Sequence, residues 1–309
     1  MIADKYGGHK AIMLAFVFYI LGIYFLYSGP NTGVFFQIDM GLLVGIGLGG
    51  TAISIPMSIV GKHFPLSNRT IAMSLVTAVG SFGYFISPMY TSYSLINNGW
   101  IHTLYIFTIF LVIGLVIAFF VRSPSLSESI EKPSDQNTMS ALKEAFKTKS
   151  YVLLTAGFFV CGFHITLVGT HVPTYVIDRG LEVWTAAAIL SLVGLFNIFG
   201  SLFSGYLSTK MKKKVILAAI YALRGISICL FIFLPASNIN AFIFGASFGF
   251  LWLSTVPATS GIVAQMFGTK HLGMLYGIVF LSHQIGSFFG SFLGGLFHDI
   301  YGSYDYAWY

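Results

Sequence analysis

Nine long, mostly apolar runs follow one another along the chain, at about residues 11–27, 38–60, 70–94, 101–121, 151–177, 183–208, 214–235, 240–263 and 272–297. An α-helix rises about 1.5 Å per residue, so about 20 apolar residues cross the roughly 30 Å hydrocarbon core of a bilayer. Each run is near that length. Only 8% of the 309 residues are charged, against roughly 25% in a soluble domain. A water-facing surface needs charge, so most of this surface must face lipid. The pattern predicts an all-α membrane protein. Pro56, Pro88 and Pro257 lie inside the runs, which membrane helices tolerate better than soluble ones.

The placement of the charges tests the segmentation. If residues 1–10 are cytoplasmic, alternation makes loops 61–69, 122–150, 209–213 and 264–271 cytoplasmic too. Of the sixteen Lys and Arg residues, all but Arg179 and Arg224 then fall in these loops or, for Lys214, at a helix edge. This is the asymmetry of the positive-inside rule. It accounts for the net charge of +6 without nucleic acid as a partner, and the partner it implies is the lipid bilayer. Cys161 and Cys229 stand singly inside apolar runs and read as packing residues. Residues 122–150 form a polar linker, in which Ala141 to Lys147 reads equally as a surface amphipathic helix or as a solvated tether.

The chain also repeats itself at an offset of roughly 203–206 residues. The basic loop from Asp4 to Lys10 matches Thr209 to Lys214, Phe64 matches Phe267, and Gly80-Ser81-Phe82 matches Gly286-Ser287-Phe288. Both copies have the same orientation, so the repeat is parallel. The second copy has two spans before its basic loop that the first lacks, and no partner for the span at 101–121. The expectation is a nine-span part of a twelve-span protein, with two further spans before Met1 and one after Tyr309.

The loop Ile2-Ala3-Asp4-Lys5-Tyr6-Gly7-Gly8-His9-Lys10 resembles the signature between helices 2 and 3 of the major facilitator superfamily. Gly205-Tyr206-Leu207-Ser208-Thr209-Lys210 is similar to its weaker echo between helices 8 and 9, with Thr209 where an acid often stands. The stretch from Gly80 to Pro88 partly resembles the Gly/Pro motif of helix 5. The run Gly162-Phe163-His164 through Thr170-His171-Val172-Pro173-Thr174-Tyr175, Asp178-Arg179-Gly180 and Gly194-Leu195-Phe196-Asn197 is similar to bacterial relatives of monocarboxylate transporters. In helix 8, where those transporters carry an acid and a base, this chain offers Asn197. The resemblance implies two pseudo-symmetric helical bundles, here residues 1–121 (family helices 3–6) and 151–309 (family helices 7–11), joined by the cytoplasmic linker 122–150. It implies alternating access, and a multi-pass protein of a cell membrane such as the bacterial inner membrane. By position, Asp4, Lys5, Gly7 and Lys10 inherit the role of the inside-gate loop.

An ionisable group deep in the bilayer costs roughly 2.5–3.5 kcal/mol on insertion scales, so it is a functional candidate by default. His164, His171, Asn197, Arg224, His283 and Gln284 are such groups, and the family arrangement makes them candidates for substrate binding or coupling. Each also has a structural reading. The histidines can form neutral interhelical hydrogen bonds, and Asn197 can join helices. Arg224 can grip a carboxylate with its fork or bond the backbone carbonyls of a neighbouring helix. Gly41, Gly45 and Gly49, and Gly286, Gly290 and Gly294, form two small-residue ridges. Nothing has nucleotide-loop, metal-cluster or nucleophile-elbow spacing, so neither an enzyme nor a cofactor is expected. The leading expectation is a secondary transporter of a small organic solute, the class extending to organic anions such as monocarboxylates, with a proton or sodium ion as coupling partner. A transporter-like receptor and an inactive truncated transporter are the alternatives.

Overall fold

The computed structural model describes residues 8–30, 32–120, 138–268 and 270–308. Asp4, Lys5 and Gly7 of the signature loop, and linker residues 121–137, lie outside them. Among the described residues there are helices and no strand. Eight helical stretches among the described residues are long and apolar enough to cross a membrane. One of them, Ser67–Phe120, has 54 residues and would reach about 80 Å if straight. Its helical run, Leu66–Phe120, is broken at Gly99, where φ is 80° and ψ 173°. An L side chain is disfavoured there and glycine is not. The break yields two spans, which brings the total into line with the nine apolar runs.

In chain order, α1 is Gly8–Ser28. The next span, α2, runs through Gly33–Phe36, a π-helical stretch Gln37–Val44 and Gly45–Thr51, and α3 is Ser54–His63. Residues 66–98 and 100–120, on either side of Gly99, are α4 and α5. Then come α6 (Thr138–Lys147), α7 (Lys149–Asp178), α8 (Val183–Lys210), α9 (Lys213–Phe233), α10 (Asn238–Leu251), α11 (Thr255–Phe267), α12 (Leu272–Tyr301) and the short α13 (Asp305–Trp308). Large apolar side chains stand outward along the spans: Ile96, Phe233 and Ile239 are 74, 72 and 70% exposed. That outward face suits hydrocarbon, not water.

Two compact units are present. One takes the described residues of Met1–Phe64 and Tyr90–Lys132, the other those of Pro65–Met89 and Pro133–Tyr309. The division therefore does not fall at the linker alone, because the first part of α4 packs with the second unit. Small residues cause this. Gly194 and Gly205 of α8 receive the backbone of Tyr84 and Phe85 and the side chain of Ser74, and a Cβ at either glycine would collide with them.

In the first unit α1 packs on α2. Gly47 and Gly50 give the room, against Tyr19 and Ala15. Apart from their chain neighbours and the nearby backbone of their own helix, Gly41, Gly45 and Gly49 meet no atom of the described residues within 4 Å of the point where a Cβ would stand. Two residues turn an α-helix through about 200°, so the anticipated ridge stands nearly opposite the packed face. In the second unit the ridge of α12 is filled. Gly286 and Gly290 meet the carbonyls of Phe159 and Phe163 on α7, and Gly294 meets the ring of His171. On α6, Ala141 and Ala145 are buried and the Phe146 ring meets Tyr151 edge-on at 6.0 Å. The amphipathic segment thus turns its apolar face to the protein.

Two spans are interrupted part-way. Helical geometry lapses at Ala52 (ψ 149°) between α2 and α3, and again between α10 and α11. Pro56 and Pro257 each occupy the third position of the restarted helix. A first-turn proline lacks an N–H that would have no helical acceptor anyway. The two breaks lie about one repeat offset apart.

Candidate functional site

An interrupted helix at membrane depth frees backbone N–H and C=O groups, and no water is there to satisfy them. Between α10 and α11 side chains do so. Arg224, midway along α9, donates from Nη2 to the carbonyls of Leu251 (2.7 Å) and Trp252 (2.6 Å). Asn197 of α8 accepts the Leu253 N–H at 2.8 Å through Oδ1 and donates from Nδ2 to the Ser81 hydroxyl of α4 at 2.6 Å. Ser204 donates to the Ser254 carbonyl at 2.6 Å. The break is therefore fixed by α8 and α9, and Asn197 joins it to α4. The matching stretch of the first copy, Phe18-Tyr19-Ile20-Leu21, carries no charge, so Arg224 has no charged counterpart there.

Arg224 is completely buried. Its guanidinium lies over the rings of Tyr221 (5.5 Å) and Phe248 (5.8 Å), a stabilising cation–π arrangement. Nη1 points at Cys161 Sγ, 3.3 Å away, and Cys161 also meets the Thr255 hydroxyl at 3.3 Å. No carboxylate among the described residues pairs with Arg224. Burying an unpaired cation costs several kcal/mol. Here two carbonyl dipoles, two ring faces and a thiol offset part of that cost.

His164 lies within electrostatic reach of Arg224, and Tyr276 and His283 lie near Cys161. His283 stacks flat on Phe280, with ring centres 5.2 Å apart, and its Nδ1 faces Gln284 Oε1 at 3.2 Å. Four buried nitrogen or hydroxyl groups of this cluster have no hydrogen-bond partner among the described residues: His164 Nδ1, Arg224 Nε, Tyr276 OH and His283 Nε2.

The six intramembrane candidates thus separate. His164, Arg224 and His283 come together. His171, two helical turns from His164, bonds the Ser291 carbonyl at 2.8 Å through Nε2 and packs on Tyr304. Asn197 is built into the break. Gln284 is exposed, and so is Lys10, the one gate-loop candidate among the described residues. Sequence reasoning missed Cys161, Tyr221 and Tyr276 as neighbours of the cluster. A signal existed. They precede His164, Arg224 and His283 by three, three and seven residues, the spacings that share a helix face. Among the described residues no group of three or more His, Cys, Asp or Glu could hold a metal ion.

Known proteins share this architecture. A profile of the Major Facilitator Superfamily matches residues 1–291. The uncharacterized MFS-type transporter YcxA of Bacillus subtilis is 26% identical over 308 residues, covering 96% of this chain and 74% of its own. Monocarboxylate transporter 13 of Rattus norvegicus is 23% identical over 310 residues, covering 98% and 70%. The sialic acid transporter NanX of Escherichia coli is 24% identical over 287 residues, covering 90% and 68%. Among solved structures, the transporter FucP in its outward conformation superposes with a TM-score of 0.71 at 16% identity, covering 99% of this chain and 80% of that one. With its helical spans, lipid-facing surface and family-wide match, the chain belongs to the Major Facilitator Superfamily and is a multi-pass membrane protein.

Proposed function

We propose that the protein is a secondary active transporter of a small organic anion, a carboxylate such as a monocarboxylate, working by alternating access with a proton or sodium ion. One observation carries this reading: Arg224 is buried with no carboxylate partner among the described residues, beside groups that have no hydrogen-bond partner among them. Arg224 Nε–H and Tyr276 OH can donate, and each histidine can donate from a ring nitrogen. An acceptor-rich anion complements such a set, while a cation or an apolar solute does not. Two relatives of this chain are named for carboxylate-bearing solutes, monocarboxylates and sialic acid. On this reading Arg224 holds the helix break and draws the anion electrostatically. His164 and His283 offer ring nitrogens that can donate to the anion, and His171, Asn197 and Gln284 position the helices around them. Asp4, Lys5, Gly7 and Lys10 serve the inside gate.

The test is uptake by the full chain in proteoliposomes, with radiolabelled lactate and sialic acid as carboxylates and fucose as the neutral control, under an imposed proton or sodium gradient. Carboxylate uptake is expected, and R224K should cut it at least tenfold. Uptake of fucose alone would overturn the anion assignment. Saturable carboxylate binding without uptake under any gradient would favour a receptor instead.

A further inference from the structure

Within the second unit no Asp or Glu lies deep in a span. Asp178, Glu182 and Asp299 stand at or near helix ends. At membrane depth the charge of Arg224 therefore meets no carboxylate there, and water is absent to solvate it. It meets a sulfur instead. Nη2 latches the break between α10 and α11, while Nη1 reaches Cys161 Sγ at 3.3 Å. Cys161 lies midway along α7 and is 0% exposed. Its sulfur also meets the Thr255 hydroxyl of α11 at 3.3 Å, and Tyr221 of α9 and His283 of α12 lie beside it. Side chains of three other helices thus converge on one thiol.

The ionisable groups around this sulfur are Arg224 and Tyr221 from α9 and Tyr276 and His283 from α12, with His164 of α7 itself facing Arg224. They differ in what a proton does to the local charge. A proton added to His164 or His283 sets a second positive charge near the guanidinium, and like charges oppose that. A phenol is a weaker acid than a thiol, and the Tyr221 hydroxyl already donates to the Gly157 carbonyl at 2.9 Å. A thiolate at Cys161 would pair with the guanidinium directly, and a neighbouring arginine favours that form. The neutral thiol has a place too. Its S–H can donate to Thr255 Oγ1 or to the Tyr221 oxygen, whose own hydrogen is engaged elsewhere. Both charge states of the sulfur therefore find partners already in position.

The same cluster holds groups that still await a partner. Arg224 Nε, Tyr276 OH and His283 Nε2 have none among the described residues, and all three residues are more than nine-tenths buried. Arg224 Nε–H and Tyr276 OH can donate to an arriving carboxylate. A sodium ion at this place would be a second cation beside Arg224, with no carboxylate among the described residues to hold it.

We propose that Cys161 is the proton carrier of the site: its thiolate is the counter-charge of Arg224 when the site is empty, and it takes up one proton when a carboxylate replaces it at the guanidinium. The proposal rests on the reading of Arg224 as the partner of a transported carboxylate. In the step one S–H bond forms, from a sulfur lone pair and a proton of the solution, and the N–H···S contact gives way to N–H···O. No electron is transferred. A guanidinium–thiolate pair becomes a guanidinium–carboxylate pair beside a neutral thiol, so one anion and one proton enter together and the charge of the site does not change.

The test uses the full chain in detergent with Cys229, the other cysteine, replaced by serine, so that Cys161 is the only thiol. Lactate and sialic acid are the probes. The ultraviolet absorption of a thiolate is expected at neutral pH in C229S, and its absence there would overturn the proposal whether or not either acid binds. Adding a bound acid should abolish that absorption while a pH-indicator dye in weak buffer records about one proton taken up per carboxylate. Affinity should then fall about tenfold per pH unit above the titration of the thiol, the slope that one linked proton dictates. In C161S/C229S a hydroxyl that stays neutral replaces the thiol. Carboxylate binding should persist there with no proton uptake and no such slope. Undiminished proton uptake in that variant would overturn the carrier role and leave the carboxylate reading standing. A thiolate signal with neither acid bound would overturn the carboxylate reading and the carrier role with it. If C161S/C229S does not fold, C229S alone decides, because proton uptake without loss of the thiolate absorption would overturn the proposal.

Discussion

At the scale of single residues, Arg224 and Asn197 do similar work with different chemistry. Each satisfies backbone groups that the interrupted span would leave bare, Arg224 the carbonyls and Asn197 an N–H. Removing Asn197's amide orphans a buried donor, which costs about 1–3 kcal/mol. Asn197→Ala should lower unfolding stability by that amount in detergent, read by tryptophan fluorescence. Arg224→Ala removes a charge with its packing and leaves two carbonyls unpaired, so a larger loss of about 3–5 kcal/mol is expected. Arg224→Lys should recover part of the stability, because an ammonium still donates to carbonyls, yet lacks the planar fork. If both alanine variants unfold like the wild type, the latch contributes nothing. Sequence alone singled out both positions, since polar groups are costly inside an apolar run. It left their partners open, because the partners are backbone atoms of a break, and Pro257 within the run fits a continuous membrane helix as well as a restarted one.

At the scale of elements, the pairing of α7 with α12 rests on absent side chains. Gly286, Gly290 and Gly294 share one face of α12, and the carbonyls of α7 enter the space that a Cβ at Gly286 or Gly290 would need. Gly290→Leu should therefore prevent folding or cost several kcal/mol, since a backbone carbonyl cannot move aside as a flexible side chain can. Gly225→Ala in α9, with no atom near its Cβ position, should gain about 0.8–1 kcal/mol from helix propensity. Comparing the yield and unfolding midpoint of the two variants checks both expectations. A shared outcome would show that backbone proximity does not set the cost. The two Gly-xxx-Gly ridges were equally legible in the sequence. Only packing separates them, because the pattern says that close approach is possible and not that a partner lies on that face.

At the scale of the whole molecule, the basic loops predict one orientation, with residues 209–213 on the cytoplasmic side and the turn before α10 on the other. In a C229S background, Thr209→Cys should react with an impermeant maleimide only after the cytoplasmic face is opened, and Ser237→Cys should react in intact cells. The reverse labelling would invert the topology. What the sequence determined by itself is the class of the molecule: spans of bilayer length, their number, a parallel repeat and a loop signature. These follow from local physics, since hydrophobic length, charge at loop ends and turn chemistry are written in consecutive residues. What the tertiary structure decided is which polar groups meet. His164 and His171 look alike in sequence, yet one lies near the buried guanidinium and the other bonds a carbonyl of α12. Cys161 looked like filler and touches Arg224. Helix rotation and the choice of neighbour set these outcomes, and both depend on contacts between residues far apart in the chain.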